Sequence, residues 1–295
     1  MNYNPAGSSH SSFGHVRSFA CDMRREAALP KTDRDPEPPY ARSVDNMDVI
    51  ASFFRLDRIG YDMYYGGNGR YLYQPIPKNG CTKVKSLLLQ IENLPVDNNW
   101  WHVHQKEYNG FPGTHNLSLE EQVAIFEGRT NTFKFTFVRN PYSRMASGYL
   151  DKIKKNVAPH IVKKIRTFAA QNRIALSEEI TFSEFVDVVS RQSVTEMDSH
   201  FRPQCYEGRF PVVKFDFVGR METFADDLIY VLERIEAPET AVAQAHARNH
   251  ETGSTVRIWE SVSADARRLF LEAFEIDFDV LQYPRRLPAH WHGAQ

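Results

Sequence analysis

The chain is poor in cysteine. Only Cys21, Cys81 and Cys205 occur in 295 residues, at spacings that fit neither a thiolate zinc site nor a disulfide framework. That scarcity favours a reducing, cytoplasmic setting. No run approaches the roughly 18 consecutive apolar residues of a membrane span, and Met1 to Phe13 carries no apolar signal core, so no transmembrane segment is expected. Net charge is almost absent, at −1 from 36 Lys and Arg against 37 Asp and Glu, which argues against a general nucleic-acid binder. Any anion site must therefore be local. The phosphate loop G-x-x-x-x-G-K-[ST] is missing too, and so is any internal repeat.

What is present suffices for one α/β core, since 42% of residues are hydrophobic and 13% aromatic. Residues 1–45 are rich in Ser, Pro, Arg and Asp and read as a disordered tail, leaving 46–295 as the folded domain. Periodicity predicts strands over 71–76, 133–138 and 212–218. Helices are predicted over 82–92, 118–127, 141–155, 161–172, 182–190, 223–235 and 263–275. Ser118 with Glu121 and Thr181 with Glu184 form capping boxes, and Pro141 suits a first helical turn. Strands alternating with helices imply a P-loop-like, mostly parallel sheet covered by helices on both faces, with a binding site at the strands' carboxyl ends.

Two segments carry the chemistry. Pro77-Lys78-Asn79-Gly80-Cys81-Thr82 joins an apolar run to a helical pattern, so the turn aims backbone amides and a helix dipole at an anion. Lys78, Thr82, Lys83 and Lys85 add cations and a hydroxyl. Phe137-Val138-Arg139-Asn140-Pro141 ends a second apolar run in arginine, where a nucleoside triphosphatase usually places a magnesium-binding aspartate. The pair reads as a two-part phosphate grip with no metal.

The order P-K-x-G-C-[ST] and then F-V-R-x-P-x-x-R-x-x-S-x-Y-x-x-K resembles the carbohydrate sulfotransferases that use 3′-phosphoadenosine 5′-phosphosulfate (PAPS), in the branch of the HNK-1 and chondroitin 4-O-sulfotransferases. Asp198 to Cys205, Phe215 to Thr223 and Phe270 to Tyr283 agree with that family in order. The resemblance implies the sulfotransferase fold, sulfuryl transfer from PAPS to a carbohydrate hydroxyl, and Lys78, with Asn79, Gly80, Cys81, Thr82 and Lys85, around the 5′-phosphosulfate. It places Arg139 and Ser147 on the 3′-phosphate, and Arg220 and Arg248 nearby. The family usually has an acidic residue after the motif arginine, where this chain has Asn140.

A base must take the acceptor's proton, and His115, His104, His102 and His200 are the candidates. His115, in Thr114-His115-Asn116-Leu117, resembles the H-N-N-L stretch of the chondroitin-type enzymes and ranks first, ahead of His104 and His102. Packing beside Trp100 and Trp101 competes with catalysis for His102 and His104, and the His102-x-His104 spacing lacks a third metal ligand. Lys152, Lys154, Lys155, Lys163, Lys164 and Arg166 form a charged helix face or a track for an acidic glycan acceptor. A P-loop phosphotransferase and a non-catalytic nucleotide- or glycan-binding module are the alternative functions.

Overall fold

The computed structural model describes residues 60–96, 101–155, 157–210, 212–245 and 257–287. The predicted tail over 1–45 and Arg248 lie outside the described residues. Four strands, β1 (Tyr64–Gly66), β2 (Tyr71–Gln74), β3 (Phe133–Val138) and β4 (Phe217–Arg220), form one sheet in that order. The β1–β2 pair is antiparallel, whereas β2–β3 and β3–β4 are parallel, with Tyr73 opposite Phe135 and Phe135 opposite Phe217. The main helices in chain order are α1 (Cys81–Ile91), α2 (Leu119–Phe126), α3 (Pro141–Gly148), α4 (Pro159–Gln171), α5 (Phe182–Arg191), α6 (Phe224–Arg234), α7 (Glu239–Ala245), α8 (Ala264–Ala273) and α9 (Glu275–Val280).

Side chains alternate across a strand, so each run of buried residues feeds two cores. Phe133, Phe135 and Phe137 join Tyr71 and Tyr73 on one face, packed by Leu87 and Leu88 of α1 and Leu228 and Val231 of α6. Leu72 and Val138 face the other way, toward a core built from α3, α4, α5, α8 and α9. Trp259, fully buried in that second core, meets Tyr142 edge-on at 4.9 Å and donates from Nε1 to the Tyr142 carbonyl at 2.9 Å. Its ring and its N–H are both satisfied, as a buried tryptophan requires.

Both capping boxes form, at Ser118–Glu121 and Thr181–Glu184, and Pro141 opens α3. The third strand begins five residues later than predicted, because Val212 and Val213 turn back on the Arg209 carbonyl and bury themselves as coil. The helix predicted over 141–155 is α only to Gly148 and continues as a π-helix over Tyr149–Lys154. The last predicted helix corresponds to α8, which ends at Ala273, and α9 follows it almost entirely beyond the predicted range. β1 and α7 were not predicted.

Candidate active site

The first motif folds as a tight turn. The Asn79 amide closes on the Ile76 carbonyl at 3.2 Å, with Pro77 and Lys78 at the central positions and Lys78 at φ 73°. A positive φ there is the type II pattern, one a lysine adopts only under strain. Gly80 follows at φ 69° and caps α1. A Cβ on Gly80 would sit 2.7 Å from the Phe224 ring, so conformation and space both demand glycine. Glycine supplies no capping side chain, which leaves the first-turn amides of α1 for a ligand.

The second motif is tied to the first. Arg139 follows β3; its Nε donates to Ser143 Oγ at 2.7 Å and its Nη1 to the Lys78 carbonyl at 3.3 Å. Burial lowers the Arg139 pKa, opposed by the Glu222 charge. Asn140 serves as the N-cap of α3, its side chain accepting from the Tyr142 amide at 3.0 Å, while its own amide donates to Glu222 Oε1 at 2.8 Å. Glu222 thus puts a carboxylate beside the arginine although Asn140 is neutral.

Gln204 joins these pieces. Its Oε1 accepts from Asn79 Nδ2 at 2.7 Å and from the Arg139 amide at 2.8 Å, and its Nε2 donates to the Arg139 carbonyl at 2.8 Å. Asp277 of α9, fully buried, accepts from the Gln204 and Cys205 amides at 2.7 and 2.9 Å. Arg144 closes the same unit, donating to the carbonyls of Pro77, Arg202 and Ser199 at 3.0, 2.7 and 3.1 Å. This buried network ties the two motifs into one arrangement, although Asn79 Oδ1 is left without a hydrogen-bond partner among the described residues.

A cleft of about 880 Å³ opens beyond the carboxyl ends of β2, β3 and β4, lined by Lys78, Gly80, Cys81, Thr82, Arg139, Ser147 and Met221 among others. Seven of its lining residues are Lys or Arg against four Asp or Glu, so it favours an anion. Lys78 Nζ lies 2.8 Å from Asp151 Oδ2, and Lys152 Nζ lies 3.1 Å from the same atom. Asp151 and Lys152 belong to the π-helix, a distortion that recurs at functional sites. Burial lowers the Lys78 pKa against the pull of Asp151, and burial also lowers that of Lys85. Lys106, donating to the Met63 carbonyl, is pushed down to about 7 by burial.

Two histidines line the cleft. His104 has Nε2 3.0 Å from Thr82 Oγ1 and Nδ1 3.3 Å from Lys85 Nζ. Burial, then the Lys85 charge, lowers its pKa to about 4, so it is neutral at pH 7 with both ring nitrogens engaged. His200 places Nδ1 2.6 Å from Asp198 Oδ1, and its Nε2 makes no hydrogen bond among the described residues. That leaves one ring nitrogen oriented by a carboxylate and the other available to a ligand.

The structure brings Lys78, Gly80, Cys81, Thr82, Lys85, Arg139, Ser147 and His104 to this cleft. The other described candidates do not line it. The Asn79 side chain is fully buried and bound to the Phe137 carbonyl and Gln204, acting as a clasp. Arg220 lies over the Tyr283 ring and donates to the Leu281 carbonyl at 3.0 Å. His115 is exposed on a short turn against Tyr61, and His102 stacks on Tyr108; neither lines the cleft. Sequence reasoning missed Asp151 and Lys106, had Lys152 only as a motif lysine and part of a charged helix face, and left His200 unranked. The Asp-x-His spacing at Asp198 and His200 was the available signal for that pair.

A sheet with parallel strands whose carboxyl ends meet an uncapped, cation-lined helix N-terminus defines an anion-binding α/β protein. A family model described as "Sulfotransferase family" matches residues 65–284, and the chain belongs to that family. Human carbohydrate sulfotransferase 9 is 25% identical over 246 residues, covering 75% of this chain and 53% of that protein. Carbohydrate sulfotransferase 14 of Danio rerio is 26% identical, covering 58% and 47%. Carbohydrate sulfotransferase 10 of Xenopus laevis is 26% identical over 270 residues, covering 82% and 72%. The chain thus spans about half the length of the first two of these curated relatives. No solved structure matches significantly. Among the described residues no helix is long and apolar enough to cross a membrane.

Proposed function

We propose that this chain transfers a sulfuryl group from PAPS to a hydroxyl of a carbohydrate. The observation that carries the reading is the meeting, in one cleft, of Lys78, the free first-turn amides of α1, Arg139, Ser147 and an oriented histidine. The residues fit such a donor: the turn and Lys78 suit the 5′ end, while Arg139, fixed by Ser143 and the Lys78 carbonyl, suits a 3′-phosphate. The donor brings the activated sulfur–oxygen bond.

His200 is the base in this proposal. With Nδ1 bonded to Asp198, its Nε2 takes the acceptor's proton as the acceptor oxygen bonds to sulfur. Lys78 and the α1 amides neutralise charge gathering on the 5′-phosphate oxygen as its bond to sulfur breaks. His104 is the weaker candidate because the Lys85 ammonium occupies its Nδ1 lone pair. The cytoplasmic setting rests on the sparse cysteines alone, and cell fractionation tests it.

The deciding experiment is calorimetric titration with adenosine 3′,5′-bisphosphate, run beside ATP with magnesium. Binding of the bisphosphate is expected, with a loss of at least about tenfold in Arg139→Ala, the scale of one charge-assisted contact. Lys78→Ala is expected to fold normally and lose most turnover. Preference for magnesium ATP would replace this reading with phosphoryl transfer.

A further inference from the structure

The cleft carries a second feature that holding a phosphate does not require. Tyr61 and Tyr108 line it while remaining 43% and 63% exposed. Each ring packs against a histidine that does not itself line the cleft. His102 lies nearly parallel to Tyr108, with centroids 4.5 Å apart and planes at 11°. His115 leans on Tyr61 at 5.2 Å and 55°. The histidine packed on Tyr108 is itself anchored, since Asn109, only 2% exposed, donates from Nδ2 to the His102 carbonyl at 3.0 Å. Glu107, also on the cleft wall, accepts from the Tyr61 hydroxyl, and that hydrogen bond holds its carboxyl below the usual range.

Large aromatic rings held rigid in water suit ligand contact, because little side-chain entropy remains to be lost on binding. A pyranose offers the matching surfaces. Its axial C–H groups form an apolar face that packs on an aromatic ring, and its equatorial hydroxyls donate to carboxylates. The geometry points to an acceptor subsite in which Tyr61 and Tyr108 pack against a pyranose ring of the glycan and Glu107 accepts from its hydroxyls. This inference rests on the sulfuryl-transfer reading and deepens it, giving the acceptor its own wall of the donor's cleft. It also gives His102 and His115 a role as braces for the two tyrosines.

The test is titration of the full chain, saturated with adenosine 3′,5′-bisphosphate, against a panel of neutral and uronate-containing oligosaccharides of four to six sugars. Wild type is expected to bind at least one of them. Tyr108→Ala and Tyr61→Ala are each expected to weaken that binding about five- to tenfold, in line with one aromatic contact, while Tyr108→Phe stays within about twofold. Bisphosphate affinity is expected to be unchanged in all three variants. No oligosaccharide binding by bisphosphate-loaded wild type, or unchanged oligosaccharide affinity in both alanine variants, overturns the subsite and leaves the donor reading standing. Weaker bisphosphate binding in Tyr108→Ala overturns it differently, by assigning the ring to the nucleotide base. Failure of wild type to bind the bisphosphate overturns the underlying reading itself.

Discussion

Among the histidines, hydrogen bonding rather than proximity in sequence separates the roles. A base needs a free lone pair aimed at substrate and a partner on its other nitrogen, and of the two cleft histidines only His200, held by Asp198 at 2.6 Å, meets both conditions. His200→Ala is therefore expected to lower kcat about 10²- to 10⁴-fold, the usual worth of a general base, without changing bisphosphate affinity. His115→Ala is expected to keep kcat. Steady-state rates at saturating acceptor decide both, and a large kcat loss in His115→Ala alone would return the base to the position that ranked first on resemblance.

At the scale of elements, the turn between β2 and α1 is the part with the least tolerance. Its two positive-φ positions, Lys78 at 73° and Gly80 at 69°, put a cation beside bare helix amides. Replacing Gly80 by alanine forces Cβ into Phe224 and strains the backbone, so a cost of about 2 to 4 kcal/mol is expected. Thermal unfolding measures it, and a stability equal to wild type would mean the turn is not as tight as described. The distortion after α3 acts on the opposite wall, where the π-helix presents Asp151 to Lys78 and Lys152. A regular helical reading of 141–155 contained no hint of it, since i→i+5 bonding has no sequence period of its own.

Across the whole molecule, sites distant in sequence are coupled through Gln204. It does not line the cleft, yet it bonds the Asn79 side chain and both backbone groups of Arg139. Gln204→Ala is expected to destabilise the fold by about 1 to 3 kcal/mol through orphaned buried groups and to weaken bisphosphate binding from a distance; calorimetry on the folded fraction separates the two effects. Stability should also depend on pH through His104. Its folded pKa of about 4 lies below the ordinary 6.5, so between those values the unfolded chain binds the extra proton and acid favours unfolding. Stability is expected to fall as pH drops from 6.5 toward 4, by on the order of 1 to 2 kcal/mol after solvent screening. His104→Asn should flatten that slope in denaturant titrations, and an unaltered slope would assign the acid loss to other groups.

Much of this was local and therefore legible. Apolar alternation over 133–138, the capping boxes at Ser118 and Thr181, and Pro77-Lys78-Asn79-Gly80 leading into a helix are written in residues a few positions apart. Short-range sterics and hydrogen bonding suffice to set them. The spaced Lys78 and Arg139 motifs likewise pointed to one anion grip. What only the tertiary structure decided involves partners far apart in the chain. Asn79 turned inward because Gln204, 125 positions away, accepts its amide. His115 and His102 went to aromatic neighbours rather than to the cleft, and Val212 and Val213 became buried coil rather than strand. A side chain's donors and rings have several possible partners in sequence, and burial in one close-packed arrangement selects among them.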